Sequence, residues 1–185
     1  MGKIYERLED KHIAFIQRQK VFFVATAPRA DEGHVNVSPK GLDTIRILNE
    51  RLVEWVDLGG SGIETQAHLQ ENGRITLMFC AFEGPAKILR IYGRGRAIDF
   101  DHPEFNEAFA AFPNFDRARA VIRIDIERVA DSCGWGVPFF EFKGEREQLQ
   151  RDVDHRSDEE WKARRYASNA RSIDGLPGLS GTNEE

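Results

Sequence analysis

Apolar and polar positions alternate with a period of two along much of this chain, the spacing that puts successive side chains on opposite faces of a strand. Residues 34–40 place Asn36, Ser38 and Lys40 on one face and Val35, Val37 and Pro39 on the other. Residues 121–129 turn Ile122, Ile124 and Ile126 inward and Arg123, Asp125 and Glu127 outward. Residues 87–98 set Arg90, Tyr92, Arg94 and Arg96 against Gly93 and Gly95, which predicts a bend or bulge where the sheet turns. Residues 21–26 and 74–82 are apolar runs of the kind that form buried strands. Residues 44–48 and 52–56 are two further strands around a turn at Asn49-Glu50-Arg51. Helical spacing is confined to residues 5–19, a short stretch ending at Gly73, and residues 102–112. Strands joined by short turns, with few helices between them, predict a mainly β chain of the α+β kind: an antiparallel barrel with flanking helices.

Composition narrows this picture only modestly. A length of 185 residues fits one domain with a substantial core, and a hydrophobic content of 41% without a membrane-length apolar run fits a soluble globular chain. Lysine and arginine total 26 against 31 aspartates and glutamates, a net charge of −5, which argues against a general nucleic-acid surface. The first residues lack the apolar stretch of a secretion signal, so a cytoplasmic location and no membrane partner are expected. Cys80 and Cys133 lie far apart with no histidine at ligand spacing, so neither a metal site nor a disulfide is expected. Residues 1–145 read as the main domain, and residues 146–185 as a charged helix and tail, with the last four residues frayed.

Candidate chemistry concentrates at Asp57-Leu58-Gly59-Gly60-Ser61-Gly62-Ile63-Glu64-Thr65, between a strand and a helix. Glycines let a ligand approach the backbone, and a helix start offers unpaired N–H donors that favour a phosphate. The same letters also spell a capping box, Ser61-x-x-Glu64, which would satisfy those donors internally. Lys40 and Ser38 share the polar face of a strand that breaks at Pro39 and Gly41; they suit a phosphate or a polar ring edge, or Lys40 is simply solvated. Arg74 can reach a phosphate or pair with a carboxylate such as Asp57. Trp135, between Gly134 and Gly136, has room to stack on a flat ring or else plugs the core. No catalytic triad, zinc motif or nucleotide phosphate loop is present, so chemistry would come from a bound cofactor rather than from a catalytic side chain.

Taken together, His34-Val35-Asn36-Val37-Ser38-Pro39-Lys40-Gly41, the turn above continued to Glu71-Asn72-Gly73-Arg74, and Tyr92-Gly93-Arg94-Gly95 resemble the pyridoxamine 5′-phosphate oxidase-like family of FMN-binding split barrels. The loop Ser132 to Pro138 and the tail Ser172-Ile173-Asp174-Gly175-Leu176-Pro177 resemble an uncharacterised branch of it. The resemblance implies a six-stranded antiparallel split barrel in residues 1–145 that forms a homodimer, with FMN in a groove between the subunits. It implies that Asn36, Val37, Ser38, Lys40 and Gly41 run along the flavin, and that Asp57, Leu58, Gly60, Ser61, Gly62 and Thr65 lie near its phosphate. Arg74 and Trp135 complete the candidate set. The chain departs from true pyridoxamine 5′-phosphate oxidases at Ile63-Glu64-Thr65, which stand where those enzymes carry Ser-Arg-Lys, and it lacks their C-terminal arginine pattern. The expectation is therefore an FMN-dependent oxidoreductase of unknown substrate. The alternatives are a flavin-storage protein, a deazaflavin enzyme and a true pyridoxamine 5′-phosphate oxidase. FMN is expected over FAD because no Rossmann glycine motif is present to hold a second nucleotide.

Overall fold

The computed structural model describes residues 2–149, 151 and 155–179. The frayed terminus expected at 182–185, and part of the charged helix and tail expected at 146–185, lie outside the described residues. The strands are β1 (Ile4–Tyr5), β2 (Phe22–Thr26), β3 (Asn36–Lys40), β4 (Ile45–Asn49), β5 (Leu52–Asp57), β6 (Arg74–Cys80), β7 (Ile88–Asp99) and β8 (Ala120–Ser132). Helices α1 (Asp10–Arg18), α2 (Glu64–Asn72), α3 (Phe105–Phe109) and α4 (Asp158–Asn169) accompany them. Among the described residues no helix is long and apolar enough to cross a membrane.

All pairings are antiparallel, in the order β3-β2-β6-β7-β8-β5-β4, with β1 on the far half of β8. Among the described residues the sheet thus holds eight strands rather than six, and it is not closed, since β3 and β4 are free ends. One added strand is β1, which takes Tyr5 from the start of the expected first helix: Ile4 and Tyr5 pair with Ala130 and Val129. The long β8 makes this possible by serving β5 along its first half and β1 along its second.

Alternation sorts the side chains as expected. Ile122, Ile124 and Ile126 enter the main core with Leu77, Phe79, Leu89 and Ile91, capped by Phe15 and Ile16 of α1. A second cluster gathers Val56, Ile98, Ala108, Phe112 and Val121 beside α3. α3 covers only the middle of the helix expected at 102–112. The predicted bulge falls between Tyr92 and Gly93, where the β7–β8 register shifts. A Cβ on Gly93 would stand 2.2 Å from the Asp125 carbonyl oxygen, so the bend needs glycine.

β3 inverts the usual arrangement. Its polar residues Asn36, Ser38 and Lys40 are half-buried, while Val35 and Val37 are 70% and 60% exposed. A free edge strand with its polar face inward and its valines outward is the feature that positions the site.

Candidate functional site

β5 ends by delivering Asp57 to the base of the glycine-rich turn, where its carboxylate is buried. The Gly59 N–H donates to Asp57 Oδ1 at 3.0 Å, and Gln66 Nε2 donates to Oδ2 at 3.2 Å. Arg119, just before β8, donates to Oδ2 from Nε at 3.1 Å and from Nη2 at 2.7 Å. An isolated carboxylate at this depth would be costly, but a paired and hydrogen-bonded one is tolerated. Burial works to raise the Asp57 pKa; Arg119 first, and Lys40 after it, outweigh that and hold it below the ordinary aspartate value. Arg119, not Arg74, is thus the arginine that pairs with Asp57.

Arg119 also fixes the turn itself. Its Nη1 donates to the Gly62 carbonyl at 2.7 Å and to Asn169 Oδ1 at 2.9 Å. From α4, Arg165 Nη1 donates to the Gly60 carbonyl at 3.2 Å, and Asn169 Nδ2 lies 3.4 Å from it and 3.5 Å from the Ser61 carbonyl. The capping box that Ser61 and Glu64 spell as the alternative does not form. Ile63 occupies the N-cap without a side-chain bond, because the Glu64 carboxylate instead accepts the Ile173 N–H of the tail at 3.1 Å. Among the described residues, the N–H groups from Ser61 to Gln66 therefore meet no acceptor.

The polar face of β3 abuts this helix start. Asn36 Nδ2 donates to Thr65 Oγ1 at 3.1 Å and to Thr26 Oγ1 at 3.3 Å, and Thr26 Oγ1 lies 3.0 Å from His68 Nδ1. Burial lowers the His68 pKa, which favours the neutral ring. Ser38 Oγ and His68 Nε2 are buried without a hydrogen-bond partner among the described residues. Lys40 Nζ sits 4.9 Å from the Trp55 ring centroid and makes no hydrogen bond or ion pair among the described residues. Burial pushes its pKa below the usual lysine value, with Asp57 pulling it back up. Gly41 ends the strand, its carbonyl accepting from Thr44 Oγ1 at 2.8 Å, and Leu42 follows at φ 60°, a left-handed conformation costing about 1–2 kcal/mol for a side chain of this kind. Lys40, Leu42, Trp55, Asp57, Leu58 and Gly59 help to line a hollow of about 200 Å³.

Eleven candidates thus fall on two adjoining segments: Asn36, Val37, Ser38, Lys40 and Gly41 on or beside β3, and Asp57, Leu58, Gly60, Ser61, Gly62 and Thr65 around the turn. Val37 differs from its neighbours in pointing outward. Arg74 and Trp135 are not brought there. Arg74 lies beyond the far end of α2, about 14 Å along the helix from Thr65. It donates to the Pro28 carbonyl at 2.9 Å and to Asn72 Oδ1 at 3.2 Å. Trp135 is 86% exposed, so it does not plug the core, and its loop leans on Lys87 at the start of β7. A larger cavity, about 880 Å³, lies near that loop between α1 and the β6–β7 turn, lined in part by Phe15, Lys20, Phe82, Lys87, Phe140 and Phe142.

Arg119, Asn169, Arg165, Gln66, Thr26 and His68 escape the sequence reading. Only Arg119 carries a signal, as an arginine between Ala118 and Ala120 at the mouth of an alternating strand, and that signal names no partner.

A sequence profile described as Pyridoxamine 5′-phosphate oxidase matches residues 8–133. The Aspergillus flavus protein ustO, described as a pyridoxamine 5′-phosphate oxidase family protein, is 36% identical over 196 residues, covering 97% of this chain and 78% of that one. Two crystal structures of HupZ from Group A Streptococcus share the fold at TM-scores of 0.55 and 0.52, each at 20% identity. They cover 67% and 66% of this chain and 98% and 91% of HupZ. The extent of the profile match and the identity to the fungal protein place this chain in the pyridoxamine 5′-phosphate oxidase family.

Proposed function

We propose that the protein is an FMN-dependent oxidoreductase, with the flavin phosphate at the Ser61–Thr65 turn and the ring along β3. One observation carries this reading: the inward polar face of an edge strand meets an uncapped helix start, joined by the Asn36–Thr65 hydrogen bond of 3.1 Å. The residues suit the group. The free N–H donors and the helix dipole favour a phosphate at the turn. Ser38 Oγ and the Lys40 ammonium, both without partners among the described residues, suit the polar edge of an isoalloxazine. Glu64 opposes an anion, and its bond to the Ile173 N–H draws off part of that charge. When bound, the flavin supplies the hydride chemistry. Lys40 and Ser38 would orient the ring and favour negative charge at its edge, and no side-chain acid or base is assigned.

The hollow beside Lys40, at about 200 Å³, is smaller than the ~300–1,000 Å³ of ordinary ligand pockets. A second copy is the natural means of completing it, which makes the protein a homodimer with a shared site. The exposed Val35, Val37, Trp135 and Phe139 are candidates for that interface.

The absorption spectrum of the purified protein and a fluorescence titration with FMN test the cofactor. Flavin bands, or saturable uptake of added FMN, are expected, and a colourless protein that takes up none overturns the assignment. Mass spectrometry of the released cofactor separates FMN from FAD and deazaflavin. Reduction of the bound flavin by NADPH, followed by reoxidation with turnover, separates an enzyme from a storage protein. Light scattering on the loaded protein is expected to give a dimer, and a monomer retaining one FMN overturns the shared site.

A further inference from the structure

We infer that the C-terminal helix α4 is part of the ligand site, with Arg119, Asn169 and Arg165 acting as positioning residues that aim the turn's N–H groups. The inference rests on the flavin reading above. Among the described residues every peptide bond is trans. A trans peptide puts the carbonyl of one residue and the N–H of the next on opposite sides. The Gly60 and Ser61 carbonyls are held from α4, and the Gly62 carbonyl is held by Arg119. The N–H groups of Ser61, Gly62 and Ile63 therefore point away from those donors. They continue into the free N–H groups of Glu64, Thr65 and Gln66. Successive N–H groups turned to one side form an anion-binding concavity, and a glycine-rich turn released from these contacts has many other conformations to visit.

The holders are themselves fixed. Asn169 is wholly buried, and Arg119 and Arg165 are 4% and 6% exposed. α4 begins with a true capping box, in which Ser157 Oγ accepts from the Glu160 N–H at 3.2 Å and the Ser157 N–H reaches Glu160 Oε2 at 3.1 Å. It docks through buried Trp161, which packs edge-on against Phe100. Behind Asn169 the tail closes the arrangement, with the Leu179 N–H donating to the Asn169 carbonyl at 2.9 Å. Asn169 thus joins three parts of the chain: β8 through Arg119, the turn, and the tail.

A purely structural staple would affect every ligand alike, whereas a device that aims N–H groups at a phosphate affects FMN and spares riboflavin. The test measures both flavins by fluorescence titration on full-length wild type, Asn169→Ala and Arg165→Met, with thermal melts alongside. FMN affinity is expected to fall about 10-fold or more in Asn169→Ala, and by less in Arg165→Met, while riboflavin affinity changes under about 2-fold. Arg165→Met keeps the stem and removes the bond to Gly60, so it decides the matter if Asn169→Ala does not fold. Equal losses for both flavins, or no loss for either, overturn the positioning role while leaving the flavin reading in place. A wild type that binds neither flavin overturns the flavin reading, and this inference with it.

Discussion

Two segments of this chain look alike on paper: the turn from Asp57 to Thr65 and the loop from Asp131 to Pro138. Each follows a strand, opens on an aspartate and carries a serine and more than one glycine. In the fold they have little in common. The first is tied down by a buried Asp57–Arg119 pair and by donors from α4. The second lies at the surface, with Trp135 86% exposed and its aspartate accepting from the N-terminal Lys3 N–H at 2.9 Å. Its Gly134 has a φ of 68°, and a Cβ there would stand 2.8 Å from the Lys87 backbone. Glycine serves a left-handed backbone at Gly59, with a φ of 85°, in one segment and close approach to a neighbour in the other. What separates a candidate site from a surface loop is the buried charge beneath it, not the glycines.

Substitutions in the two segments should therefore differ sharply. Arg119→Ala, which strands the Asp57 carboxylate, is expected to cost about 3–5 kcal/mol, read by urea denaturation. Trp135→Ala and Arg119→Ala of similar cost would erase the contrast. At the site itself, Lys40→Ala should weaken FMN binding by about 10- to 150-fold without loss of fold, since it removes one charged hydrogen-bond donor. Unchanged affinity would leave Lys40 with only its packing over the Trp55 ring.

The pH dependence sharpens the same contrast. Lys40 has its folded pKa below the ordinary 10.5 because of burial, and an anionic ligand favours its charged form. FMN affinity should fall as pH rises through that lowered pKa, and Lys40→Arg, which stays charged, should remove the effect. Asp57 has its folded pKa below the ordinary 3.8. Its pairing stabilises the fold fully above that unfolded value, and the stabilisation is lost as pH falls through the folded one. The acid limb of a denaturation series should flatten in Asp57→Asn relative to wild type; an unaltered slope would mean that another carboxylate dominates it. Trp135→Ala should be the mildest of all, within about 0.5 kcal/mol of wild-type stability by thermal melting. A larger loss would show that the loop is anchored in a way its exposure does not suggest.

Much of the fold was legible because it is written locally. The alternation at 121–129 and 87–98 appears as β8 and β7, and Gly73 caps α2 in the left-handed conformation. The two segments of the candidate site were legible for the same reason, as an alternating strand and a glycine-rich helix start. Where local letters competed with distant ones, the letters misled. Ser61-x-x-Glu64 spells a capping box, but the tail reaches Glu64 first, from 109 positions away. Ser157-x-x-Glu160 spells the same box and forms it. Tyr5 opens the expected helical pattern, yet the open second half of β8 offers it backbone hydrogen bonds that a helix end does not.

The sequence by itself determined the strands, their inward and outward faces, the position of the turn and the family resemblance, because each depends on side chains within a few residues of one another. It also determined that Asn36, Ser38 and Lys40 share a face. Only the tertiary structure decided that this face looks inward, that Arg119 rather than Arg74 neutralises Asp57, and that α4 grips the turn's carbonyls. Those contacts join residues 62 and 105 positions apart, and no periodicity in the chain encodes them. They form because a buried carboxylate and unsatisfied carbonyls must find donors, and which donors are within reach is fixed by how the sheet folds.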